Sequence, residues 1–266
     1  MLVAHAAGKT SEQLLRDLPL YCAAGFEDEV NAMLQRRLQG EPVAYITGSW
    51  EFYGIPLEIT RDVLIPRPDT EIMVEAALRL LKSSAEAPRI LDLCTGSGCI
   101  GLALAHNIPN ARVVMVDNNH RALGVARKNA VRGHVETRAI CVDADASKKP
   151  PLLLGKFDMV CCNAPYIPTP ELADLDKSVI DYEPYAALDG GQDGLDIIRP
   201  VIALWKDVLK DGGFMLLEIS EGQSPAVQDL LRQAGFGAVV ALKDPGGTER
   251  IIIGQLQSAC EDGEEN

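Results

Sequence analysis

Between Arg89 and Gln255 the chain alternates short, continuously apolar runs, each with at most one acid, with helically patterned segments. The runs cover residues 90–93, 113–116, 139–142, 157–162 and 214–219. A run of four to six residues without polar alternation suits a strand buried on both faces, as in a parallel sheet covered by helices on each side. The segments between them, at about 100–106, 122–130, 195–209 and 226–234, carry apolar residues at helical spacing. This rhythm predicts an α/β fold with a doubly wound, mostly parallel sheet. Residues 237–242 and 250–255 predict a closing antiparallel hairpin.

Ahead of this region the character changes twice. Residues 27–38 place Val30, Met33, Leu34 and Leu38 at helical spacing behind an acidic first turn, and Gly40 stops the helix. In 41–68, Trp50, Phe52, Tyr53, Ile55, Leu57 and Ile59 are punctuated by Gly48, Gly54 and Pro56, which favours a β-hairpin. Asp69-Thr70-Glu71 then supplies a cap and acidic first turn for a helix over 72–81. The expected division is a small N-terminal helical, substrate-recognising domain at 1–40, a linking hairpin at 41–68, the α/β domain at 69–258 and an acidic tail at 259–266, with a linker at 83–88.

Bulk properties exclude several classes. A net charge of −13 over 266 residues opposes a phosphate-driven grip on nucleic acid. No apolar stretch reaches the roughly 18 residues of a spanning helix, and no basic segment precedes the apolar start as in a secretory signal. The seven cysteines form no Cys-x2-Cys pair, and most lie in apolar runs, as expected of reduced thiols in a cytoplasmic protein. His5, His106, His120 and His134 make no spaced ligand set, so no metal is expected.

Two turns carry the candidate chemistry. Leu91-Asp92-Leu93-Cys94-Thr95-Gly96-Ser97-Gly98 puts small residues straight after the first parallel strand, where glycine lets backbone approach a ligand and the following helix offers free N–H groups. The glycine spacing fits a dinucleotide fingerprint poorly. Asp117, ending the second strand about 20 residues on, suits a carboxylate that accepts both ribose hydroxyls of a nucleoside, or one that caps the helix from Asn118 or Asn119. Asp143 or Asp145 would stand near the base. The second turn, Asn163-Ala164-Pro165-Tyr166, follows the run ending Cys161-Cys162. Its asparagine oxygen and a backbone carbonyl can accept the two hydrogens of a planar NH2 group while the tyrosine ring covers one face.

With these pieces in place the chain resembles the class I S-adenosylmethionine-dependent methyltransferases, and within them the HemK/PrmC family, which methylates the glutamine of the Gly-Gly-Gln motif in peptide chain release factors. The resemblance spans nearly the whole sequence. It rests on Glu41-Pro42-Val43-Ala44-Tyr45-Ile46-Thr47-Gly48, Glu51-Phe52-Tyr53-Gly54, Leu64-Ile65-Pro66-Arg67-Pro68-Asp69-Thr70-Glu71, the two turns above, Tyr182-Glu183-Pro184 and Ala187-Leu188-Asp189-Gly190-Gly191. It implies S-adenosyl-L-methionine as cofactor and S-adenosyl-L-homocysteine as product. Cys94, Thr95, Gly96, Ser97 and Gly98 would wrap the methionine part, Asp117 with Asn118 the ribose, and Asp145 with Ala146 the adenine. Arg67 and Pro68 would line the cofactor from the inter-domain side. Asn163, Ala164, Pro165 and Tyr166 would receive the glutamine, with Glu183 shaping the opening and Asn163 touching cofactor as well. A monomer acting on a release factor, without direct nucleic-acid or membrane contact, is the implied partnership. The alternatives are a methyltransferase acting on adenine N6 or guanine N2, and a catalytically weakened homologue that binds the cofactor.

Three positions depart from the family pattern. Cys94 stands where glycine is usual, a change the turn tolerates if φ is negative. Asp69 replaces glutamate. Ala164 replaces the first proline of Asn-Pro-Pro-Tyr, which keeps the carbonyl but removes the φ restraint and adds an N–H. The N-terminal helical part is also short beside the family's first helices, as a truncated or misassigned start would be.

Overall fold

The computed structural model describes residues 1–17, 26–82 and 87–257. The expectations for Cys22, Cys260, most of the 83–88 linker and the acidic tail fall outside them.

The N-terminal part is helical: α1 (Leu2–Ala6), α2 (Ser11–Asp17), α3 (Phe26–Leu38) and α4 (Val43–Thr47). Thr10 and Gln13 form a reciprocal cap before α2, each side chain accepting the other's backbone N–H at 3.1 Å. Helix α4 lies inside the segment expected to be a hairpin. Pro42 begins it, Gly48 ends it with φ +66°, and Ala44, Tyr45 and Ile46 are all buried, so one short turn satisfies an apolar triplet that reads equally well as strand. The hairpin itself is confined to β1 (Ser49–Phe52) and β2 (Ile55–Glu58), paired antiparallel.

A seven-stranded sheet follows, made of β3 (Arg89–Leu93), β4 (Arg112–Asp117), β5 (Ala139–Asp143), β6 (Phe157–Cys162), β7 (Leu209–Glu218), β8 (Phe236–Lys243) and β9 (Glu249–Leu256). Its order is β5-β4-β3-β6-β7-β9-β8, parallel except where β9 joins β7 and β8 antiparallel. The helices are α5 (Glu71–Leu81), α6 (Cys99–Asn107), α7 (His120–Arg132), α8 (Lys177–Ile180), α9 (Ile198–Trp205) and α10 (Ser224–Gln233). Helix α9 is shorter than the expected 195–209: Pro200 fits only a first turn, and Lys206–Val208 tightens into a 3-10 turn. Two apolar clusters cover the faces of the sheet, one gathering α5, α6, α7 and the hairpin, the other α9 and α10. Among the described residues no helix is long and apolar enough to cross a membrane.

Candidate active site

The strand order reverses between β3 and β6, and at such a switch point the loops leaving the two strands diverge to open a crevice at their carboxyl ends. The β3–β6 register pairs Leu93 with Cys162, so the next residues, Cys94 and Asn163, begin the two candidate turns side by side.

The first turn is held by its own backbone and by two carboxylates. The Thr95 N–H donates to the Val116 carbonyl at 2.9 Å and the Gly98 N–H to Thr95 at 2.8 Å. Asp92, fully buried, accepts from the Thr95 hydroxyl at 2.5 Å and the Gly101 N–H at 2.9 Å, leaving Oδ1 without a hydrogen bond among the described residues. Burial pushes its carboxyl up to about 7, against those two hydrogen bonds. Gly101 must stay glycine, since a Cβ there would come within 2.9 Å of the same carboxylate. Asp117 accepts from the Gly96 and Asn119 N–H groups, each at 2.9 Å, and burial raises its pKa. The cap of α7 is Asn119, whose side chain accepts from Arg121 and Ala122, so Asp117 does not serve as the cap and faces the turn.

A cavity opens between the turns. Its wall is built from the strand ends: Cys94, Thr95, Gly96 and Ser97 after β3, Asp117 and Asn118 at the end of β4, Asp145 and Ala146 after β5, and Asn163 and Pro165 after β6. Asp145, rather than Asp143, takes the place beside Ala146: Asp143 turns to His120 at 3.1 Å, while Asp145 accepts from the Ser147 N–H and hydroxyl. The Ala146 carbonyl is fixed by the buried indole of Trp205 at 2.8 Å. Asp117 presents a two-oxygen acceptor, and an added Cβ at Gly96 would meet only open space. This set suits a vicinal diol joined to a flat base.

The second turn is braced from behind. The Tyr166 carbonyl accepts from Gln223 Nε2 at 2.8 Å, and Gly190 and Gly194 pack so closely that a Cβ on either would strike the Pro165 or Tyr166 carbonyl. Ala164 is 3% exposed, and among the described residues neither its N–H nor its carbonyl has a partner. Asn163 Nδ2 lies 3.4 Å from Thr70 Oγ1, and the Tyr166 hydroxyl donates to Glu218 at 3.1 Å.

Several expected positions are elsewhere. Arg67 pairs with Glu183, and Glu183 also accepts the Ile65 N–H at 3.1 Å; the pair, with Glu183 buried and Arg67 half-exposed, is a strut between segments, and the wall there is Leu64, Pro66 and Thr70 in place of Arg67 and Pro68. Glu183 therefore faces inward and not toward an incoming chain, and its neighbour Pro184 reaches the cavity. Gly98 starts α6 with φ +85°, behind the wall, and Ala164 and Tyr166 stand behind Asn163 and Pro165. Cys94 has φ +55°, so the condition of negative φ fails. Thr70 makes no side-chain cap to α5; its hydroxyl points to Asn163. Asp92, Thr70 and Glu218 join the site with little sequence signal, the acids Asp92 and Glu218 standing out only as charges inside apolar strand runs.

Comparison with known proteins bears on this arrangement. Residues 1–48 match the PrmC N-terminal domain and 70–176 the methyltransferase small domain. A release factor glutamine methyltransferase of Geobacter sulfurreducens is 39% identical over 84% of this chain and 76% of its own length. One from Burkholderia pseudomallei is 40% identical over 96% of this chain and 90% of its own. The crystal structure of a methyltransferase from Pyrococcus furiosus, 18% identical, superposes with a TM-score of 0.58 over 86% of this chain and all of that one, which shows the shared fold. With likeness of that degree running through both turns and most of both sequences, the chain belongs to the release factor glutamine methyltransferase family.

Proposed function

We propose that the protein transfers a methyl group from S-adenosyl-L-methionine to the side-chain amide nitrogen of the glutamine in the Gly-Gly-Gln motif of peptide chain release factors. The observation that carries this reading is the meeting of the two turns: Cys94 and Asn163 begin side by side at one cavity. The cavity chemistry suits the cofactor, with Asp117 for the ribose hydroxyls, Asp145 and Ala146 beside the base, and the Thr95–Ser97 backbone along the methionine part. Bound there, the cofactor supplies a methyl on a sulfonium that carries its own leaving group, so position is most of the catalysis.

An amide nitrogen is a poor nucleophile because its lone pair is delocalised into the carbonyl. Asn163 Oδ1 and the Ala164 carbonyl would accept its two hydrogens, fixing the nitrogen and favouring a more pyramidal geometry. That carbonyl has no competing donor among the described residues. Tyr166, anchored by its hydroxyl on Glu218 behind Pro165, would brace the turn that receives the amide. The strut of Arg67 and Glu183 would hold the Pro66 edge of the cavity in place.

The experiment is a labelled-methyl transfer assay with a release factor, duplex DNA and ribosomal RNA as parallel acceptors. Label on the glutamine of the release factor is the expected result. Label on either nucleic acid alone would overturn the reading, and cofactor binding without any transfer would identify a weakened homologue.

A further inference from the structure

Glu218 ends β7 beneath the second turn and is 2% exposed. Its Oε1 accepts the Tyr166 hydroxyl at 3.1 Å, and its Oε2 makes no hydrogen bond among the described residues. Thr70 is the polar neighbour that most favours the charged form of the carboxylate, without a hydrogen bond of ordinary geometry between the two. Thr70 is wholly buried on its own side chain yet reaches the cavity wall, with Oγ1 3.4 Å from Asn163 Nδ2. Glu218, Thr70 and Asn163 thus form a line of polar groups from the core to the cavity, and only its last member has a role in the proposed chemistry.

The two ends of an asparagine amide are nearly the same size but opposite in hydrogen-bonding sense. Turned one way, Asn163 offers an acceptor to the substrate's N–H; turned the other, it sets N–H against N–H. Something behind it must choose. An ionised carboxylate only accepts, so a hydroxyl beside it spends its hydrogen there and keeps lone pairs for the next group.

We propose that Glu218 and Thr70 are positioning residues that set the direction of the Asn163 amide: the carboxylate draws the Thr70 hydroxyl hydrogen toward itself, the hydroxyl oxygen accepts from Nδ2, and Oδ1 is left toward the substrate amide. The inference rests on Asn163 being the acceptor in the proposed transfer. Replacing the carboxylate by an amide reverses the line, because Gln can donate to Thr70, which then donates to Asn163 and flips it.

The charged and titratable groups facing Glu218 are Tyr166, Asp69, Arg250 and Cys99, with Arg67 acting on Tyr166. Burial lifts the Glu218 carboxyl to about 7, the Thr70 and Tyr166 hydroxyls and Arg250 work against that rise, and Asp69 adds to it. Transfer should therefore weaken as pH falls through about 7. Asp92 titrates in the same range, so the acid limb has to be assigned with a variant.

The test uses the full chain with S-adenosylmethionine and a release factor. Glu218→Gln and Thr70→Val should each lower kcat by about ten- to a hundredfold with cofactor affinity nearly unchanged, Thr70→Ser should restore it, and Glu218→Gln should lose the acid limb. Wild-type kcat and acid limb in Glu218→Gln, or equal loss in the Ser and Val variants, would overturn the proposal. If Glu218→Gln does not fold, the Thr70 pair decides. If the wild type transfers nothing to the release factor, the reading of function fails separately, and the relay is judged by the Asn163 side-chain NH2 resonances, identified by their loss in Asn163→Ala. Those signals should titrate near neutrality in the wild type and not in Glu218→Gln; signals indifferent to pH in the wild type would sink the relay.

Discussion

The Asn129 side chain donates to the Ser97 carbonyl at 2.9 Å, tying the last turn of α7 to the first turn of the cavity. The same amide accepts the Glu58 N–H at 2.7 Å and donates to the Glu58 carbonyl at 3.0 Å, so one 2%-exposed residue joins hairpin, turn and helix. Asn129→Ala strands all three groups, at a cost of about 2–4 kcal/mol. The melting temperature should fall by roughly 5–10 °C, and calorimetry should find weaker S-adenosylmethionine binding. A variant that melts lower yet binds normally would place the bond's role in the hairpin alone.

Cys94 is one of four non-glycine residues described with positive φ, at +55°. Holding a Cβ there costs about 1–2 kcal/mol, partly offset by the greater unfolded-state freedom of glycine. Cys94→Gly should accordingly raise the melting temperature by about 1–3 °C. A fall instead would mean that the packing of the thiol against the apolar cluster around Val160 and Cys162 outweighs the backbone strain.

What was legible in the sequence follows from which forces act locally. Strands β3, β4 and β6 were readable because burial on both faces leaves an apolar run with at most one acid inside it. Both turns were readable because their backbones need small residues or proline at fixed offsets. Helix α4 was missed because its triplet of buried residues has no period to reveal it. The pairing of Arg67 with Glu183 is not legible because ion pairs across 116 residues leave no local trace. Thr70 looked like a cap for the same reason: a threonine before a helix usually is one, and its other use depends on Asn163, 93 residues away.

Asn163→Ala removes both the acceptor and the bond to Thr70. Transfer should drop on the order of a hundredfold or more, with cofactor binding still measurable by calorimetry. Asn163→Asp keeps an acceptor but cannot donate to Thr70, and should retain more activity than the alanine variant. Equal rates for wild type and Asn163→Ala would remove Asn163 from the chemistry.

Glu41 is 5% exposed and holds Arg36 and Arg61 at 2.7 Å each, joining α3 to the segment after the hairpin. The hydrogen bond from Arg36, resisted by burial and helped by Arg61, brings its carboxyl down to about 2 from 4.5. A depressed folded-state pKa stabilises above the unfolded value and is lost as pH falls. Docking of α3 should hold above pH 4.5 and weaken progressively toward pH 2. Limited proteolysis across that range should release the N-terminal helices from wild type on acidification, and Glu41→Gln should release them already at neutral pH. Protection of the variant at pH 7 equal to wild type would show that apolar contacts of α3 suffice.

Ala164 offers the most direct test of how the second turn works. Its N–H and carbonyl have no partner among the described residues and its side chain is buried, so a proline ring would break no hydrogen bond. Proline would fix φ near −65° and restrict Asn163 to extended backbone. If orientation of the two acceptors limits the reaction, Ala164→Pro should raise kcat by about tenfold, equivalent to roughly 1.4 kcal/mol, and leave the Michaelis constant for S-adenosylmethionine unchanged. A rate no higher than wild type would mean that the Gln223 hydrogen bond to Tyr166 and the packing of Gly190 and Gly194 already hold the turn as firmly as a second proline could.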